Sequence, residues 1–186
     1  MHLVDIIVSK IGMEQCKADP CVFQLIRGDV VVMIVCVHVD YITVAEVPEA
    51  CGFLNKCLLE EFQTTGGELS WYLGCVFERD RKKSVLRVSQ RAFVESVVSR
   101  YGVDAESNLP ASQSTDLGPR GNEESVCDKP VRAAIGSLIW LSGMTRPDIA
   151  NAVRAVARQA HDPAERHWRA VRKIIAYLNR TKEWWS

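Results

Sequence analysis

The sequence predicts an α+β protein: antiparallel β-hairpins with packed helices come first, and an all-helical part follows. Three observations predict it. Runs of β-branched residues punctuated by tight-turn residues crowd residues 1–89. From Val131 onward, apolar residues recur at helical spacing. Strand signals and helix signals are also segregated along the chain rather than alternating, which argues against a wound parallel sheet.

Taken in order, Leu3, Ile7 and Ile11 share one helical face, and Gly12 ends that helix. Two strands, Cys21–Arg27 and Val30–Val37, are predicted around Gly28-Asp29, a two-residue turn signal. A third short strand, Ile42–Ala45, follows the polar break at Asp40-Tyr41. Pro48 then suits the first turn of a helix carrying Phe53, Leu54, Cys57, Leu58 and Phe62. Ser70–Glu78 and Ser84–Ser89 read as a second hairpin across the charged turn Arg79-Asp80-Arg81-Lys82-Lys83. Ser89 is expected to cap a helix that ends at Gly102. Leu109 to Pro130, rich in Pro, Ser, Gly and acid, reads as a surface linker. Helices are expected over Val131–Ser142, Pro147–Ala160 and Pro163–Arg180.

Composition narrows the functional classes. No apolar run approaches the roughly 20 residues that span a bilayer, and the N-terminus lacks signal-peptide order. An intracellular, cytoplasmic or nuclear protein is expected. The seven cysteines show no CxxC spacing, so they read as reduced thiols rather than a zinc knuckle or disulfide frame. The net charge of zero conceals a polarity. Met1 to Glu78 holds 4 Lys+Arg against 11 Asp+Glu, whereas Arg79 to Ser186 holds 19 against 12. The basic part suits a polyanionic partner or a solvated helical face.

The chemistry concentrates in Val35 to Ala45, VCVHVDYITVA, where one carboxylate interrupts two apolar runs. An aspartate held at a tight break between strands is well posed to ligate Mg²⁺, which prefers few carboxylates plus substrate phosphates. A plain turn aspartate is the alternative. VHVDYI is similar to the YVDD hairpin of reverse transcriptases, with His38 at the tyrosine, Asp40 at the first aspartate and Tyr41 at the second. Other words of the sequence agree. Ala18 to Phe23 (ADPCVF) resembles the lead-in to the preceding strand in copia-type LTR retrotransposons, and Trp71-Tyr72-Leu73-Gly74 resembles their primer-gripping hairpin. Ser89-Gln90 with Phe93, Gly136 to Leu141 (GSLIWL), Thr145 to Ala150 (TRPDIA), and His167 through Tyr177 to Thr181 match further elements in order.

The chain therefore resembles part of a copia-type reverse transcriptase. The resemblance implies that residues 1–89 are the C-terminal part of a polymerase palm, carrying both hairpins. Residues 90–186 would be the helical thumb and connection, with a linker at about 107–130. It implies two-metal nucleotidyl transfer in the parent enzyme, with Mg²⁺ as cofactor and Asp40 as catalytic metal ligand. RNA template and RNA–DNA or DNA primer duplex are the implied partners. Trp71, Tyr72, Leu73, Gly74, Arg154, Arg158, Arg169, Arg172 and Lys173 are the implied nucleic-acid contacts. Fingers, the first half of the palm with its aspartate, and RNase H are expected outside these residues. A neutral phenol at Tyr41 replaces the second carboxylate, so the isolated chain is expected not to polymerise. The alternatives are a non-catalytic nucleic-acid-binding module or a degenerate relic. His161 and His167 have no nearby cysteine pair, so His167 is read as packing or capping its helix.

Overall fold

The computed structural model describes residues 3–39, 41–47, 50, 52–63, 65–112 and 115–184. The chain divides into two compact units, Met1–Leu69 and Ser70–Ser186. The division falls ahead of the second hairpin, whereas the expected boundary at 89/90 follows it. The physical reason is local: β-strands at 71–89 are sequence neighbours of the helix that begins at Arg91, and they cluster with it.

In the first unit, a helical turn α1 (Leu3–Asp5) runs into a π-helical segment, Ile6–Lys10, and Gly12 leaves it at φ +79. Four strands follow: β1 (Glu14–Gln15), β2 (Val22–Arg27), β3 (Val30–His38) and β4 (Tyr41–Glu46). They form one antiparallel sheet in the order β1-β2-β3-β4. Gly28 at φ +63 lets the β2–β3 turn close in two residues, so Arg27 pairs with Val30. Strand alternation then sends Phe23, Leu25, Met33 and Val35 to one face. There they join Ile6, Ile7, Leu54 and Leu58 in a single apolar cluster. Each such side chain is worth about 1.5–3 kcal/mol when fully buried. The helix α2 (Phe53–Glu61) supplies the last two of these and starts after Gly52 at φ +81. The expected opening at Pro48 lies outside the described residues.

The second unit begins with a meander of three strands, not two. The expected strand Ser70–Glu78 is split into β5 (Trp71–Tyr72) and β6 (Cys75–Asp80), which pair with β7 (Val85–Ser89) in the order β5-β6-β7. Leu73 at φ +48 and Gly74 at φ +77 are the cause, since two successive left-handed residues reverse the chain at once. Helix α3 (Arg91–Tyr101) has Gln90 rather than Ser89 at its N-cap; Ser89 completes β7 instead. Gly102 at φ +58 ends α3. Helix α4 (Val131–Met144), a 3₁₀ turn (Pro147–Ile149), α5 (Ala150–Ala157) and α6 (Glu165–Arg180) complete the unit. Val97, Leu138, Leu141, Ile149, Val156, Val171 and Ile174 are among the residues of its core.

The expected linker contains no helix or strand among its described residues, yet it is strapped to α6. Arg166 donates to the carbonyls of Gly118 (3.0 Å) and Pro119 (2.7 Å) and pairs with Glu124. Arg120 reaches Asp162 at 2.9 Å. The buried His167 accepts the Ala164 N–H at Nδ1 (2.8 Å), which leaves Nε2 to donate to Gly118 (3.0 Å). His167 is thus a cap, and it also fastens the linker.

The TRPDI word has a structural cause. Arg146 is buried and forks onto Asp148, with Nε–Oδ1 3.0 Å and Nη2–Oδ2 2.7 Å. The same guanidinium donates to the Thr181 hydroxyl at 2.7 Å and its carbonyl at 3.3 Å, and lies 5.5 Å from the Tyr177 ring centre. Burial by itself would raise the Asp148 carboxyl, but hydrogen bonds from Arg146 and Tyr177 outweigh it and hold it below the ordinary carboxylate range. Removing Asp148 leaves the buried guanidinium without its counter-charge, whereas removing Arg146 leaves a carboxylate that water reaches. Asp148→Asn is expected to destabilise the second unit by about 3–5 kcal/mol in urea unfolding, and Arg146→Ala by less. Because the folded carboxyl is depressed, its contribution is complete above its unfolded value and disappears as pH falls through the folded one. Acid titration of the urea midpoint should therefore be shallower for Asp148→Asn than for the unsubstituted chain.

Candidate functional site

The β3–β4 hairpin is the first candidate. His38 pairs with Tyr41, Val37 with Ile42 and Cys36 with Thr43, so only Val39 and Asp40 lie between the paired ends. His38, Val39 and Tyr41 are exposed. Asp40, expected as the metal ligand, lies outside the described residues. Val39 adopts φ +51. A β-branched residue there is an outlier, costing roughly 1–2 kcal/mol, because Cβ crowds the following carbonyl. Such strain gathers at functional turns. Nothing in the residue type at position 39 signals the strain.

Position 41 contributes a phenol, paired across the two strands with His38. Among the described residues, no group of three His, Cys, Asp or Glu side chains is placed to hold an ion.

The second candidate surface is on the other unit. Trp71, exposed at 55%, flanks the Leu73-Gly74 turn; Tyr72 and Leu73 are half-buried and Gly74 is exposed. The cations that the sequence grouped together separate in three dimensions. Arg154 and Arg158 are exposed one helical turn apart, at the end of α5. Arg169 and Lys173 border a groove beside α6. Arg172 instead donates to the Gly102 carbonyl at 3.3 Å, where α3 ends. Arg146, counted with the basic stretch, is withdrawn into the interior. Arg166 and Arg180 are engaged by Glu124 and Glu106. Arg154, Arg158, Arg169 and Lys173 have no ion-pair or hydrogen-bond partner among the described residues.

One surface was missed. The outer face of α4 carries Gly136, Ile139, Trp140, Gly143 and Met144, all exposed and spaced i, i+3, i+4, i+7, i+8. Trp140 is 42% and Ile139 52% exposed, and a Cβ added at either glycine meets nothing within 4 Å. The signal was in the sequence, since α4 is apolar on both sides and only one side can face the core.

Comparison with known proteins places these features among relatives. No family model matches the chain, and no solved structure matches it. Its homologues are retrovirus-related Pol polyproteins from plant transposons. It is 29% identical over 178 aligned positions to that of transposon TNT 1-94 from Nicotiana tabacum, covering 88% of this chain and 13% of the relative. It is 27% identical over 171 positions to that of transposon RE1 from Arabidopsis thaliana, covering 90% and 12%. A shorter stretch of 53 residues, 28% of the chain, is 38% identical to secreted RxLR effector protein 161 from Plasmopara viticola, covering 37% of that protein. The chain thus spans about an eighth of the length of the Pol polyproteins it matches.

Relieving the left-handed valine offers a direct test of the strain. Val39→Gly should stabilise the first unit by about 1 kcal/mol, read as an increased urea midpoint at unchanged slope.

Proposed function

We propose that this chain is a segment of a copia-type RNA-directed DNA polymerase, comprising the end of its palm and its helical thumb and connection. The observation that carries the reading is the β3–β4 hairpin. A sequence similar to the polymerase YVDD word coincides with its two-residue turn, flanked by His38 paired with Tyr41 and strained at Val39. Homology to transposon Pol polyproteins along nearly the whole chain supports it. In the parent enzyme, Asp40 would serve as a Mg²⁺ ligand in nucleotidyl transfer to a primer 3′-hydroxyl.

The isolated chain is an unreactive form of that machinery. A phenol at Tyr41 brings no negative charge to offset a second divalent ion, and His38 puts an imidazole where the motif has a tyrosine. Catalysis of this kind depends on position and electrostatics, so losing a supporting carboxylate is costly. What remains is nucleic-acid binding. Exposed Arg154 and Arg158 provide cations for the phosphates of a duplex, while exposed Arg169 and half-buried Lys173 form a separate cationic site.

Two measurements test the reading. The purified chain should give no Mg²⁺-dependent primer extension, and Tyr41→Asp alone should not restore it; synthesis by either would overturn the assignment of inactivity. Binding to an RNA–DNA hybrid should weaken with salt along a log–log slope well below zero. A slope near zero would leave the relic reading in place of the binding one.

A further inference from the structure

Arg169 and Lys173 do not share the setting of the other cations. They stand one helical turn apart on α6, about 6 Å along its axis, at the mouth of a groove of about 410 Å³. The opposite wall is formed by Ser112, Thr115 and Asp116. Three cations, Arg166, Arg169 and Lys173, therefore line a concavity with a single carboxylate, Asp116. Arg166 is a fixed positive edge, clamped by Glu124 and by the Gly118 and Pro119 carbonyls. Asp116 is turned to its own loop, its Oδ1 accepting the Gly118 N–H at 2.8 Å. Of these three, Arg169 and Lys173 are without a partner among the described residues.

Shape decides which polyanion fits. The groove is concave and bounded by residues 110–112 and 115–117 on one side and α6 on the other. A rigid duplex is convex and rides over such a feature, whereas a single strand can lie within it. Behind the mouth is an apolar recess of only about 30 Å³, lined by Leu117, Ala155, Val156 and Ile174 among others. That volume holds roughly one water, far too little for a base. The recess is a wall for sugar edges and not a pocket that reads sequence.

We infer that this groove seats the backbone of a single nucleic-acid strand, with Arg169 and Lys173 each meeting a phosphate. The inference rests on the nucleic-acid reading of the second unit and adds a strand-selective site to it. Recognition there is sequence-independent, because the cations and hydroxyls address phosphate and ribose alone. Arg154 and Arg158 on α5 are outside this lining and serve as the internal comparison.

Fluorescence anisotropy on the full 186-residue chain, with labelled oligo(dT) and a labelled RNA–DNA hybrid across a salt series, tests it. Arg169→Gln/Lys173→Gln should weaken oligo(dT) binding about tenfold and reduce the magnitude of its log–log salt slope by about 1.4, two phosphates' worth for a single strand. The hybrid should be bound as before, and Arg169→Lys should retain the full slope. Arg154→Gln/Arg158→Gln should leave the oligo(dT) slope unchanged. An unaltered oligo(dT) slope in the Arg169/Lys173 variant, or an equal loss on both ligands, overturns the groove. If the unsubstituted chain binds the hybrid but not oligo(dT), the groove alone fails. If it binds neither, the nucleic-acid reading fails with it. Both substituted side chains lie at the surface, and a matching urea midpoint verifies that the variant is folded.

Discussion

A guanidinium drawn out of water at Arg146 ties together the α4–α5 corner and the far end of α6. Bringing that charge inside costs several kcal/mol, and only a saturated set of acceptors offsets it. Asp148 takes two of its donors, and Thr181 takes two more through its hydroxyl and carbonyl. Tyr177 completes the enclosure with its ring face. These four side chains come from two stretches some thirty residues apart in sequence. Their union fixes where α6 ends its run across α3, α4 and α5, and hence where its outer cations stand. Gln90 adds a second buried polar tie, accepting from the Thr145 hydroxyl at 2.9 Å. The words SQ, TRPDI and YLNRT are in this sense a single assembly read in three places.

Charge in the second unit is consequently divided by role. Arg146 organises the interior, Arg120 and Arg166 fasten the 103–130 segment, and Arg180 meets Glu106. The carboxyls of Glu124 and Asp162 are held below their usual range, Glu124 by the Gly121 N–H and Arg166, and Asp162 by Arg120. A count of positive residues cannot see this division, because structural and solvent-facing arginines are the same letter. Of the cations implied as nucleic-acid contacts, Arg154, Arg158, Arg169 and Lys173 remain without such a tie among the described residues.

The first unit makes a different compromise. Its sheet obtains stability from strand alternation on one face, while its most distinctive turn carries a strained valine. A glycine or asparagine would occupy that turn at less cost. A side chain kept in an unfavourable conformation marks a turn that its surroundings hold against local preference.

Much of the architecture was legible in residues alone. Period-two apolar runs located β2 and β3, Gly28-Asp29 their turn, Gly102 the end of α3, and helical spacing the three last helices. These features are local, decided by φ preference and by which side chains a strand or helix can hide. The motif words were legible too, as words. Tertiary structure alone decided what they do: that Leu73-Gly74 folds back at once, that Gln90 and not Ser89 starts α3, that His167 fastens the linker, and that Arg146 is interior while Arg169 and Lys173 share a groove. Each depends on a partner distant in sequence or on a backbone angle set by packing. A linear pattern of residue types carries neither.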